Sequence, residues 1–155
     1  MAGRIEARLA ELGLTLPPAA KPIATYVPFA VTGKLVVVSG QLPLKDGVLA
    51  VTGKLGETVS VDQGQESTRL CFLNVLAQLR EAAGGDLDRV KQVLRLGGFI
   101  ASAPGFTQQA LVMNGASDLS VAVFGEAGRH ARTTIGVPVL PADAATEVEA
   151  LVELY

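Results

Sequence analysis

Toward its C-terminal end the chain alternates apolar and polar residues with a period of two. One such run is His130-Ala131-Arg132-Thr133-Thr134-Ile135-Gly136-Val137, and another is Thr146-Glu147-Val148-Glu149-Ala150-Leu151-Val152-Glu153-Leu154. Side chains two apart share a strand face, so both runs predict half-buried strands. In the first, Arg132, Thr134 and Gly136 fall on one face, and Ile135 and Val137 on the other. In the second, Glu147, Glu149 and Glu153 oppose an apolar face of Val148, Ala150, Val152 and Leu154. If these strands are neighbours in one sheet, a guanidinium and several carboxylates share a polar face.

Upstream the period changes. Ile5, Leu9 and Leu12 stand at helical spacing within Gly3 to Leu12, which predicts a short amphipathic helix. Pro17, Pro18 and Pro22 interrupt that pattern. Residues 1–22 therefore read as a helical extension and linker within a single domain spanning 1–155. Thr25 to Val31 predicts a strand in which Pro28 marks an edge or a bulge. Gly33-Lys34 is a turn signal, Leu35 to Val38 a buried strand, and Ser39-Gly40-Gln41 its end. Asp46-Gly47 and Thr52-Gly53 bracket a weak strand over Val48 to Val51.

Phe72, Val75, Leu76 and Leu79 recur at i, i+3, i+4 and i+7 in the longest predicted helix, Asp62 to Ala83. Asp62 is its expected N-cap and Gly84-Gly85 its stop. Val90 to Ser102 predicts another strand. A second long helix is expected after Pro104-Gly105, running to Phe124 with a bend near Asn114-Gly115. Strands, helix, strand, helix, strands is an α+β order, with two helices on one face of a mixed sheet.

Composition narrows the functional classes. A chain of 155 residues suits one domain with a sizeable core. Apolar residues at 49% against charged residues at 18% argue against disorder. A net charge of -2 gives no electrostatic reason for nucleic-acid binding. No window approaches the roughly 20 apolar residues of a membrane span, and the N-terminus lacks the pattern of a signal peptide. The lone Cys71 excludes an internal disulfide and fits a reducing cytoplasm. With no tryptophan and 5% aromatics the core must be aliphatic. A mean hydropathy of +0.39 points to subunits that bury apolar surface against each other.

Candidate chemistry is sparse. There is no phosphate-binding glycine loop, CxxC pair, HExxH or GxSxG elbow. A sole histidine, His130, excludes a His-rich metal site. A Ser-His-acid triad would have to use His130, and nothing in the pattern places a serine and an acid around it. It reads as an exposed loop histidine. Arg132 offers a planar fork that grips a carboxylate, or else forms a surface or interface salt bridge. The glutamate row is a solvated face, unless crowding and partial burial raise its pKa values into the range of a general acid or base. Tyr26 either donates through its hydroxyl or packs. Asn114 beside Gly115 reads as a cap or bend residue, and Cys71 as an inert packed thiol.

Together these residues resemble the Rid family of reactive-intermediate deaminases, the YjgF-like group also labelled L-PSP endoribonuclease. The resemblance runs from about Ile23 to Leu154. It rests on Ile23-Ala24-Thr25-Tyr26-Val27, on Leu35-Val36-Val37-Val38-Ser39-Gly40-Gln41-Leu42-Pro43, and on Ala131-Arg132-Thr133-Thr134-Ile135 followed by Glu147-Val148-Glu149-Ala150. It implies a chorismate-mutase-like α+β fold, a homotrimer whose sheets form a central barrel, and active sites between subunits. The implied reaction is cofactor-independent: hydrolysis of enamines and imines such as 2-aminoacrylate to a 2-keto acid and ammonia. By resemblance, Arg132 matches the arginine that binds the substrate carboxylate and Glu147 the residue that handles water. Tyr26, Asn114 and Gly40 match residues lining the cleft. Thr133 and Thr134 stand where Ser and Cys are usual, with Thr133 counted among the substrate-binding residues. Where the family pattern has an acidic residue four after the arginine, this chain has Gly136. Ser102 to Gln109 lacks the common Asp-Leu motif, and Val139 precedes Leu140-Pro141 where a basic residue is frequent. The alternatives are a non-catalytic trimeric binder of a small carboxylate and a ribonuclease. The neutral-to-acidic charge and the lack of a basic, aromatic-interleaved patch argue against the ribonuclease.

Overall fold

A computed structural model describes residues 3–155. Its elements are α1 (Arg4–Glu11), β1 (Phe29–Thr32), β2 (Leu35–Gln41), β3 (Leu44–Lys45), β4 (Val48–Leu49), α2 (Val61–Ala82), β5 (Val90–Ala101), α3 (Gln109–Phe124), β6 (Ala131–Val137) and β7 (Thr146–Leu154). Five strands form one mixed sheet in the order β1-β2-β7-β5-β6, and β3-β4 is a separate hairpin. Only β5 and β6 run parallel. The expected α+β architecture is present: α2 and α3 lie side by side on one face of the sheet.

The core lies between those helices and that face. Val36 and Val38 of β2, Val93 and Leu96 of β5, and Val148, Ala150 and Val152 of β7 meet Phe72, Val75, Leu76 and Leu79 of α2 and Met113 and Ala116 of α3. The alternation in β7 is complete, with every second residue buried. The N-terminal helix is part of this core. Ile5 and Leu9 are 1% and 2% exposed and belong to the main cluster. The first backbone amides of α1 are capped from a distance, since Arg4 N and Ile5 N donate to the Asp88 carboxylate at 2.8 and 2.7 Å. Those two bonds hold the Asp88 carboxyl below its ordinary pKa.

Several boundaries differ from the sequence expectation for local reasons. The first strand begins at Phe29 and ends at Thr32. Proline has no N–H to donate, and the Pro28 carbonyl takes the Ser39 amide at 2.9 Å as β1 enters the sheet. It is the predicted edge strand. Val48–Leu49 pairs only with Leu44–Lys45, across an Asp46-Gly47 turn with φ of 53° and 78°. Both central residues are then left-handed, which favours Asp-Gly. The cap of α2 is Ser60, two residues before Asp62. Its Oγ accepts from Gln63 N at 3.1 Å while Gln63 Oε1 accepts from Ser60 N at 2.8 Å. α3 starts at Gln109 and is continuous through Asn114-Gly115. Gly115 is there because a Cβ would run into the Gln65 carbonyl of α2. Among the described residues no helix is long and apolar enough to cross a membrane.

Candidate functional site

β7 is a central strand, and Glu147 lies near its start on the face away from the helices. There β2 carries an irregularity between Val38 and Gln41 that brings the Gly40 backbone against Glu147. A Cβ at Gly40 would collide with the Glu147 carboxylate, so close approach requires glycine. Tyr26, Gly40, Gln41 and Glu147 line a cavity of about 70 Å³, walled on one side by Lys21, Pro22 and Ile23. The linker is anchored beside it by Gln78, whose buried amide donates to the Ala20 carbonyl at 2.7 Å.

The three glutamates of this face have different environments. Glu153 meets Lys91 Nζ at 3.1 Å, and Glu149 lies 3.5 Å from Arg95 Nη1. Glu147 is paired across the sheet with Phe99 and has no cation within ion-pair distance among the described residues. Burial, and then the neighbouring Glu149 charge, push its carboxyl above the ordinary range.

Arg132 sits on β6, an edge strand, and it faces the other way. It is aligned across the sheet with Leu96 and Ala150, so its side chain lies on the helix side. Nη1 donates to Asn114 Oδ1 at 2.8 Å and to Ser117 Oγ at 3.1 Å, and Nη2 donates to the Ala110 carbonyl at 3.2 Å. All three acceptors are neutral and lie on one face of α3, at intervals of four and three residues. Among the described residues no carboxylate pairs with Arg132. Its charge is held but not neutralised.

The expected site residues therefore fall into two groups. Tyr26, Gly40 and Glu147 come together, and so do Arg132 and Asn114. The shared polar face imagined for β6 and β7 does not exist: β5 lies between them, and Arg132 and Glu147 project from opposite faces. Thr133 is exposed on the Glu149 face, in line with Gly97. At Gly136 a Cβ would stand 2.7 Å from Gln109 Nε2 and 3.2 Å from Ser102 Oγ. The Gln109 amide thus occupies the space beside the position where the family pattern has an acid. Asn114 is no bend residue; it is a ligand of the arginine. His130 is not the expected exposed loop residue. It is half-buried, with Nε2 2.9 Å from Ser117 Oγ and Nδ1 2.6 Å from the Gly128 carbonyl. A serine does reach it, and a carbonyl stands where a triad would have an acid. Ser117 follows Asn114 by three, a helical spacing that was available in the sequence; its link to His130 was not. Cys71 is buried beside Thr146, and burial pushes its thiol up to about 12.

A mixed sheet in this order, with two helices on one face, defines a chorismate-mutase-like α+β protein. The chain belongs to the YjgF family: the profile described as "YjgF/chorismate mutase-like, putative endoribonuclease" matches residues 6–154. It is 52% identical over 153 residues to Protein TCP17 of Trypanosoma cruzi, covering 98% of this chain and 95% of that one. It is similar to the crystal structure of Atu1372 from Agrobacterium tumefaciens, a protein described as of unknown function (TM-score 0.92, 50% identity, 97% of this chain and 92% of that one). A Shewanella oneidensis crystal structure described as "a putative endoribonuclease" gives a TM-score of 0.95 at 38% identity, over 98% and 100% of the two chains.

Proposed function

We propose that this protein hydrolyses small enamine and imine acids of the 2-aminoacrylate type to a 2-keto acid and ammonia, in clefts between the subunits of a homotrimer. The observation that carries this reading is the state of Arg132: a half-buried guanidinium held by three neutral acceptors with no carboxylate of its own. Such a group is suited to a carboxylate from outside the chain. Glu147 is the complementary case, a carboxyl in a small cavity with no cation within ion-pair distance among the described residues, although Lys21 lines the same cavity. The two project from opposite faces of one sheet, so one substrate meets both only when a second copy supplies one of them. The sheet face bearing Glu147 also leaves Val37 49% and Ile135 47% exposed, apolar surface that further copies would cover.

In the proposed reaction an enamine first takes a proton on its terminal carbon and becomes an iminium. Water adds to the iminium carbon while Glu147 accepts a water proton. Glu147 returns that proton to the carbinolamine nitrogen, the C–N bond breaks, ammonia leaves, and the hydroxyl gives up its proton to become the keto oxygen. Enamine acid plus water gives keto acid plus ammonia. A carboxyl with a raised pKa is a better proton acceptor than an ordinary one, and such transfers are worth ~10²–10⁴ in rate. Arg132 contributes positioning. This chemistry would run in the cytoplasm without a cofactor.

A second reading is a trimeric carboxylate binder without catalysis, and one observation favours it: Gly136 stands where the family pattern has an acid, with Gln109 beside it. The endoribonuclease reading of relatives fits less well, because the sole histidine is engaged by Ser117 and Gly128 and the net charge is -2.

The experiment is subunit complementation. Arg132→Ala and Glu147→Gln proteins, each inactive toward imines generated by an amino-acid oxidase, are unfolded together and refolded as mixed trimers. Random pairing restores roughly a quarter of the clefts if the two groups come from adjacent subunits. No recovery in mixed trimers that demonstrably form would sink the intersubunit site. Wild type no faster than either variant would leave the binder.

A further inference from the structure

We infer that Ser117 and His130 are positioning residues for Arg132, forming a one-way hydrogen-bond relay that fixes the guanidinium for an incoming carboxylate. This rests on the assignment of Arg132 as the carboxylate anchor under the proposed function.

The relay has a fixed end and a fixed direction. A carbonyl can only accept, so the Gly128 oxygen takes a proton from His130 Nδ1 at 2.6 Å and another from Ser120 Oγ at 2.8 Å. Gly128 is packed directly on the α3 backbone at Ser120, with no room for a Cβ, so this carbonyl cannot drift. With its proton on Nδ1, the neutral ring presents Nε2 as an acceptor. The Ser117 hydroxyl, 2.9 Å away, must then donate to Nε2. That turns its lone pairs to Arg132 Nη1, which donates to Oγ at 3.1 Å. With one proton on the ring, reversing any link would set two donors or two acceptors against each other.

Asn114 Oδ1 takes another Nη1 hydrogen and the Ala110 carbonyl takes one from Nη2. A guanidinium carries five N–H donors. Two remain: Nε–H and one on Nη2. Asn114, Ser117 and the Ala110 carbonyl are neutral and contact the guanidinium directly, so it is oriented without being discharged. An acid in place of Ser117 would orient it equally well and cancel the charge that a ligand needs.

The sole histidine makes the first measurement unambiguous. ¹⁵N NMR of the imidazole in the full chain at neutral pH should find the proton on Nδ1; a ring protonated on Nε2 overturns the relay whatever the protein's activity. The second measurement is binding of pyruvate as the keto-acid probe. Ser117→Ala and His130→Ala should each weaken it about tenfold, the size of one hydrogen bond to a charged group. Ser117→Thr, which keeps the hydroxyl, should restore it, and the double variant should be no worse than either single one. If Arg132→Ala abolishes binding while Ser117→Ala and His130→Ala leave it intact, the relay fails and the anchor stands. If Arg132→Ala itself leaves binding intact, the anchor fails and the relay's purpose falls with it.

Discussion

Among the described residues Arg132 and Glu147 both lack a counter-ion, for opposite reasons. Arg132 is surrounded by partners: α3 turns a side-chain amide, a hydroxyl and a carbonyl toward it, all neutral. Glu147 lacks them, since its cross-strand neighbour is Phe99 and the charge that acts on it is another glutamate's. The first is a cation made rigid while its charge is kept. The second is an anion made costly, so that its proton is easily held. Glu149 and Glu153, two and six residues along the same strand, have both found cations on β5. The lack of a nearby cation separates Glu147 from Glu149 and Glu153, a distinction that a periodic pattern could not draw.

The largest effect expected from breaking this contrast is at Arg132. Arg132→Ala should lower kcat/KM on oxidase-generated imines by ~10²–10³, because a charge-assisted contact to the substrate carboxylate is worth ~2–4 kcal/mol. Arg132→Lys should recover only part of this, since a point charge replaces the fork. A change of less than threefold in Arg132→Ala would remove the arginine from the site. Next comes Gly40→Ala. Its methyl group would occupy the space of the Glu147 carboxylate, so kcat should fall ~10-fold or more, within the range for a displaced acid–base group. The carboxylate is the free end of a flexible side chain and can swing aside. Thermal stability should therefore hardly change, and a large drop in Tm would point to backbone damage instead.

The smallest effect concerns stability. A carboxyl whose folded pKa is raised holds its proton more tightly in the folded state, so the fold loses stability as pH climbs from the unfolded pKa through the folded one. Glu147→Gln should therefore raise Tm by ~1–3 °C at pH 8 and give no gain at pH 4. Asp88 has the opposite sign. Its lowered pKa supports the fold above the unfolded value and gives that support up as acid protonates it. Glu147→Gln melting curves that differ from wild type equally at both pH values would contradict the burial argument.

Much of this was legible in sequence because it depends on local spacing. The two helices, the buried strand at Leu35 to Val38 and the alternation of β7 follow from period and turn residues, and the structure keeps them. What failed was local competition. Ser60 with Gln63 forms a reciprocal cap that Asp62 cannot match, and Pro28 delays the first strand. The site was legible as a set of residue types and not as an arrangement. Arg132 and Glu147 were both candidates, yet strand alternation says only which neighbours share a face, not which strand lies beside which.

The sequence by itself determined the elements, the α+β order and the residues with chemistry to offer, since those depend on side-chain periodicity and on functional groups a few positions apart. Tertiary structure alone decided that β5 separates β6 from β7, that Asp88 caps a helix more than eighty residues upstream, and that His130 reaches Ser117. Each depends on contacts between segments far apart in the chain, where the strand order and the packing of α3 on β6 set the distance. The same packing turns Arg132 toward the helices and Glu147 away from them.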